Sequence, residues 1–239
     1  TPLIVSSQMD THRKKTICPR VTSFNLDEWD AAAKAFEKSP PVYLDQHWLP
    51  HPQAGFLPSC VRTAWTNNAL LVLAELDDAS IFNPSREFNA PAFKKGDVFE
   101  IFLRPIEQEA YYEFHIGPDN QKFQLRVPSA KAFHEQPKGD IPKEWLIRDQ
   151  VIESRAKVLA QDNRWLVLAS IPFAMVAETR QPEAGSQWLF SFSRYDYHPG
   201  NPSPTLSSSS AHEMPVSFHR QEDWGVLKFV ADSPSANHR

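Results

Sequence analysis

Apolar residues along the chain fall mostly in short runs of alternating character, the period-2 signature of half-buried strands. The spacing predicts strands over Val61–Thr66, Leu70–Leu76, Asp97–Arg104, Ala110–Ile116, Lys122–Val127, Ser154–Leu159, Trp165–Ile171, Trp188–Tyr195 and Trp224–Val230. Turn signals separate them: Asn67-Asn68, Gly117-Pro118-Asp119-Asn120 and Gln161-Asp162-Asn163. One stretch has helical spacing. From Asp27 to Lys38, Trp29, Ala32, Ala33 and Phe36 share a face, Asp27 is placed to cap, and Ser39-Pro40-Pro41 stops the helix. About nine strands and little helix predict an all-β antiparallel sandwich with one short N-terminal helix. The expected organisation is an N-terminal extension (1–20), one sandwich domain (21–231) and a mobile tail (232–239).

Alternation also sorts the side chains by face. Phe99, Ile101 and Leu103 oppose Glu100. Tyr112, Phe114 and Ile116 oppose Tyr111, Glu113 and His115. Phe190 and Phe192 oppose Ser191, Ser193 and Tyr195, and Glu75 interrupts an otherwise apolar strand. If these strands are neighbours, their polar sides form one patch of donors and acceptors. Such a patch can read sugar hydroxyls while a ring stacks on the sugar's apolar face. The plainer reading is the solvated face of an open antiparallel sheet.

Composition narrows the classes. The 239 residues are 41% hydrophobic, enough for a sizeable core, and carry a formal net charge of −4. The one dense basic run is Arg13-Lys14-Lys15, so no nucleic-acid partner is expected. No window approaches the roughly 18 apolar residues of a membrane span. Twenty-one prolines against seven glycines fit strands joined by long irregular loops. Cys18 and Cys60 stand alone, as a single disulfide or as two unrelated thiols. No Gly-x-Ser-x-Gly elbow and no Gly-rich phosphate loop is present.

Several segments carry a family resemblance. Gly96-Asp97-Val98-Phe99-Glu100-Ile101-Phe102-Leu103 resembles a hallmark strand of the family 9 carbohydrate-binding modules and their DOMON-like relatives. Tyr111 to Asn120 resembles the strand and turn that follow it. Trp165 to Phe173, Ser191 to Arg194, Phe218-His219-Arg220 and Trp224-Gly225-Val226-Leu227 fall in the family's order and spacing, over roughly residues 25 to 230. The resemblance implies a β-sandwich that binds sugar chain ends without catalysis, with Glu100 at the position of a sugar-contacting glutamate. The family's two clamping tryptophans are missing. Phe93-Lys94-Lys95 stands where one belongs and Ser207-Ser208-Ser209-Ser210 where the other does.

The expected ligand-contacting set is therefore Glu100, Glu113 and His115 with Tyr111, Arg194, Tyr195, Tyr197 and His212, roofed by the loop from Asp196 to Ser217. Phe93 and His198 are further substitutes for the missing rings. No catalytic residue and no obligatory cofactor is expected. Because some family members hold calcium, Asp77-Asp78 is the candidate for a hard cation, against a plain turn. Two rivals remain: a glycoside-processing enzyme using Glu100 and Glu113, and a protein-contact or haem-binding domain, the latter through His115 and Met214. A secreted or periplasmic setting is the expectation for the compartment.

Overall fold

The computed structural model describes residues 13–231. Twelve strands among them form two sheets, joined by three short α-helices. The first sheet holds β1 (Lys15–Pro19), β5 (Val98–Pro105), β6 (Tyr111–Ile116), β7 (Lys122–Val127), β10 (Gln187–Asp196), β11 (Thr205–Ser208) and β12 (Gly225–Val230). Its order is β1-β12-β10-β5-β6-β7, with β11 also paired to β10. The second holds β2 (Val42–Leu44), β3 (Ser59–Trp65), β4 (Ala69–Asp77), β8 (Glu153–Leu159) and β9 (Arg164–Pro172), in the order β2-β3-β4-β9-β8. Every pair is antiparallel except β1 with β12. The all-β sandwich read from alternation is the observed architecture.

The inner faces make the main core, with Phe99, Ile101, Leu103, Phe114, Phe190 and Phe192 against Val61, Val72, Ala74, Leu76 and Val167. Each large side chain buried this way contributes about 1.5–3 kcal/mol. Trp65, Phe173, Trp188 and Phe229 close one end, with ring centroids 5.1–6.4 Å apart. Backbone bridges stitch the sheets along their edges. Arg20 pairs with Trp65, and Asp45 exchanges two 2.9 Å hydrogen bonds with Ser208. Those bridges leave fewer bare strand edges.

Three strands escape the periodicity. β1 lies within the expected N-terminal extension and is an integral edge strand, so that extension is part of the sandwich from Lys15 onward. β2 and β11 are three and four residues long, too short to show a period. The expected tail lies outside the described residues. Helix α1 (Trp29–Ala35) is shorter than predicted. Asp27 does not cap it, because its carboxylate is taken by Arg155. Ala32 and Phe36 are buried against Leu71, Leu73 and Leu168, and Ala33 is exposed. Cys18 and Cys60 are both free thiols. No helix among the described residues is long and apolar enough to cross a membrane.

The outer face of the first sheet is not open to solvent. Residues 128–150 and the chain from Asp196 to Trp224 fold over it. Phe102, Tyr111, Phe123, Leu125 and Val127 from the strands pack there with Trp145, Phe218 and Trp224. The excursion is held by a second helix, α2 (Ala130–Glu135), whose Ser129 cap accepts a 3.0 Å hydrogen bond from the Ala132 N–H. The domain therefore has a third layer.

Candidate functional site

Between that layer and the sheet lies a cavity of about 620 Å³. Its floor is Glu100 and Phe102 on β5 with Glu113 and His115 on β6. The ladder sets their spacing, since Glu100 is the cross-strand partner of His115 and Phe102 that of Glu113. All four side chains stand on one face, the two carboxylates diagonal to each other. Phe93, Tyr195 and Phe218 line one part of the wall, Phe133 and Trp145 another. Phe93 meets His115 edge-on at 5.4 Å, and Tyr195 packs 5.7 Å from both Phe93 and Phe218. Gly96 lets the Phe93 segment close over β5, because a Cβ there would lie 2.6 Å from the Phe82 carbonyl oxygen.

The floor is charged and buried. Glu100 and His115 are each 2% exposed and Glu113 4%. His115 Nε2 lies 2.5 Å from Glu113 Oε1 and 3.1 Å from Glu100 Oε1. Burial pushes the Glu100 carboxyl up to about 8, with the Glu113 charge adding to the effect and His115 opposing it. His219 and His115 outweigh burial at Glu113 and hold it below the usual glutamate range. Burial pulls His115 down, but the two glutamates overcome it and leave its pKa raised.

The pH dependence of stability follows from these shifts. Glu100 keeps its proton to about pH 8 when folded, while the unfolded chain releases it near 4.5. The folded state binds the extra proton, so stability falls as pH rises through that interval. Asp97, also raised to about 8, acts in the same direction. His212 and His219, lowered by burial, oppose this only below about 6.5. Urea unfolding is therefore expected to require less denaturant at pH 8 than at pH 6.5, and Glu100→Gln should flatten the slope. A stability that climbs over this range would refute the assignment.

The expected site residues divide into three groups. Glu100, Glu113, His115 and Tyr195 line the cavity, as does Phe93. Tyr111, Tyr197 and His212 support it from outside. Tyr111 shares a 2.8 Å hydrogen bond with His219 Nδ1, Tyr197 donates to the Phe93 carbonyl at 2.7 Å, and His212 pairs with Asp223 at 2.9 Å beside Phe218. Arg194 is elsewhere, on the inner face of β10 and 2.8 Å from Asp78. Glu75 is exposed on the other sheet and takes no part in the patch. His198 faces Asp196 at 3.8 Å, and Met214 is 66% exposed. The serine run is a buried seam in which Ser208 and Ser210 bond to Ser191 and Ser193. Phe133, Trp145, Phe218 and His219 complete the walls. Their place over the sheet had no signal in the strand pattern.

Asp77 and Asp78 do not act together. Asp77 pairs with Arg164 at 2.6 Å. Asp78 joins Asp97 and Asp196, whose carboxylates approach within 4.8 Å of one another, and Arg194 sits among them as the counterion. A hard cation would have to do without Asp77 and compete with that guanidinium. A second recess, of about 670 Å³, lies between Ser85–Phe88 and Asp119–Lys122.

No protein-family model and no curated protein matches the sequence. Solved structures do match the fold. A family 9 carbohydrate-binding module from Caldicellulosiruptor kristjanssonii in complex with cellotriose has a TM-score of 0.63 and 15% identity, over 95% of this chain and 98% of that one. The same organism's family 9 module in complex with glucose has a TM-score of 0.60 and 15% identity, over 94% and 100%. A candidate carbohydrate-binding protein from Bacteroides uniformis has 0.68 and 16%, over 91% and 99%. The chain thus has a family 9 module-like fold over nearly its whole length.

Proposed function

We propose that the protein binds carbohydrate, without catalysis, in the cavity above β5, β6 and β10. The observation that carries this reading is Glu100, at the position of the family's sugar-contacting glutamate and on the floor of an aromatic-walled cavity. Glu100 and Glu113 offer acceptors to sugar hydroxyls. Phe93, Tyr195 and Phe218 supply ring surface in place of the two missing tryptophans, each stacked ring adding about 0.5–1.5 kcal/mol beyond its buried area. A glycan array followed by calorimetry on the best ligand tests the reading. A charged hydrogen bond is worth about 1.5–3 kcal/mol, so Glu113→Gln, which removes the carboxylate held ionised, should weaken binding by about 10- to 150-fold. Silence across the whole array would refute it.

One observation favours a second reading, glycoside hydrolysis. A general acid needs a raised pKa beside a carboxylate that stays ionised. Glu100 and Glu113 are shifted in those opposite directions, with oxygens within 4.8 Å of each other in a cleft. That upper bound falls below the about 5–5.5 Å between the carboxyl groups of retaining enzymes and well below the wider separation of inverting ones. Release of reducing ends from an array-positive glycan, abolished by both Glu100→Gln and Glu113→Gln, would support it. Binding without release would leave the module reading.

A further inference from the structure

The floor of the cavity has more acceptors than donors. Two buried carboxylates converge on one imidazole nitrogen, His115 Nε2, which serves Oε1 of both. Glu113 Oε2 is buried and has no hydrogen-bond partner. Among the described residues, the groups set against these carboxylates are imidazoles, His115 and, 3.5 Å from Glu113 Oε2, His219 Nε2. Leaving two buried carboxyl groups so thinly matched is costly unless a proton or a further positive group joins them.

We propose that this floor is a binding site for a divalent transition-metal ion, held by Glu100, Glu113, His115 and His219. One carboxylate oxygen from each glutamate and the His115 nitrogen lie within 4.8 Å of one another, close enough to share one ion. His219 is built as a ligand of this kind. Tyr111 fixes its Nδ1 by a 2.8 Å hydrogen bond, and Phe133 stacks on its ring at 3.8 Å, so Nε2 is aimed at the floor. A metal-ligating imidazole is usually oriented this way through its other nitrogen. Two carboxylates with two imidazoles suit zinc, manganese, iron or cobalt better than calcium, which takes oxygen ligands. A double positive charge balances both glutamates as carboxylates, the ion taking the place of the Glu100 proton. The cavity side stays open for water or a ligand hydroxyl. The all-oxygen cluster of Asp78, Asp97 and Asp196 differs, because Arg194 already neutralises part of it. The metal site does not depend on the sugar reading.

Cobalt(II) titration of the chelator-treated full chain tests the proposal, because its d–d absorption changes in position and intensity when the aqua ion enters a protein site. One equivalent is expected to bind with a d–d spectrum and to be displaced by zinc. Glu113→Gln should abolish the signal, and His219→Gln should weaken binding by at least about tenfold. Asp196→Asn should bind as the parent does. Far-UV circular dichroism checks that each variant is folded, and if Glu113→Gln is not, His219→Gln and Tyr111→Phe decide, the latter weakening binding several-fold. No saturable site near one equivalent, or binding unchanged in the folded floor variants, would overturn the proposal. Sugar binding measured with and without bound cobalt is a separate readout, so loss of one reading leaves the other standing.

Discussion

Replacing Arg194 with methionine is expected to lower the unfolding free energy by about 3–5 kcal/mol, the range for removing one partner of a buried ion pair. Arg194 is 1% exposed. Its guanidinium bonds to Asp78 at 2.8 Å, the Asp77 carbonyl at 2.6 Å and Ser59 at 3.2 Å, and faces Asp196 at 3.4 Å. One side chain thus ties β10 of the first sheet to β3 and β4 of the second. Methionine keeps much of the packing and removes the charge, so Asp78 and Asp196 are left buried without their cation. Burial and Asp78 already raise Asp97 to about 8. Burial, opposed by Arg194, leaves Asp196 at about 6. Without Arg194 these carboxylates take up protons more readily, so the loss should be smaller at pH 5 than at pH 8. Urea unfolding followed by tryptophan fluorescence at both pH values checks this. A loss under about 1 kcal/mol at pH 8 would show that the guanidinium does not join the sheets energetically. Adding Asp78→Asn to the variant should restore part of the stability.

Trp224→Ala should cost a similar amount, about 3–5 kcal/mol, through the cavity it leaves. The indole is fully buried, packs 5.5 Å from Phe102 and 5.4 Å from Tyr111, and donates from Nε1 to the Phe218 carbonyl at 2.8 Å. It therefore supports the sheet's outer face and fixes the segment carrying Phe218 and His219 over the cavity. Trp224→Phe retains most of the packing and loses that hydrogen bond, for about 1 kcal/mol. If the carbohydrate reading holds, Trp224→Ala also loses ligand affinity at temperatures where it remains folded, because Phe218 is no longer held. Full affinity in that variant would show that the roof plays no part in recognition.

Alternation by itself determined the strands that build the site. In β5 and β6 each apolar row faces the sandwich core and each polar position faces away, so Glu100, Glu113 and His115 were legible as neighbours on one face. The order of short motifs also pointed to the family 9 module-like fold, although overall identity to the two solved family 9 modules is only 15%. A period of two says which way a side chain points and nothing about what lies above it. The polar face looked open for that reason, whereas residues 128–150 and 196–224 bury it and turn surface carboxylates into a perturbed cluster. Contacts such as Tyr111 with His219, 108 residues apart, come from chain topology and leave no local trace. β2 and β11 are too short to carry a period, and they and β1 exist through their pairings. Arg194 shares the inner face with Phe190 and Phe192, a place that alternation gave it but that only buried Asp78, reached from the opposite sheet, makes habitable for a charge. Local pattern assigned side chains to faces, and the layering of distant segments decided which face became a cavity.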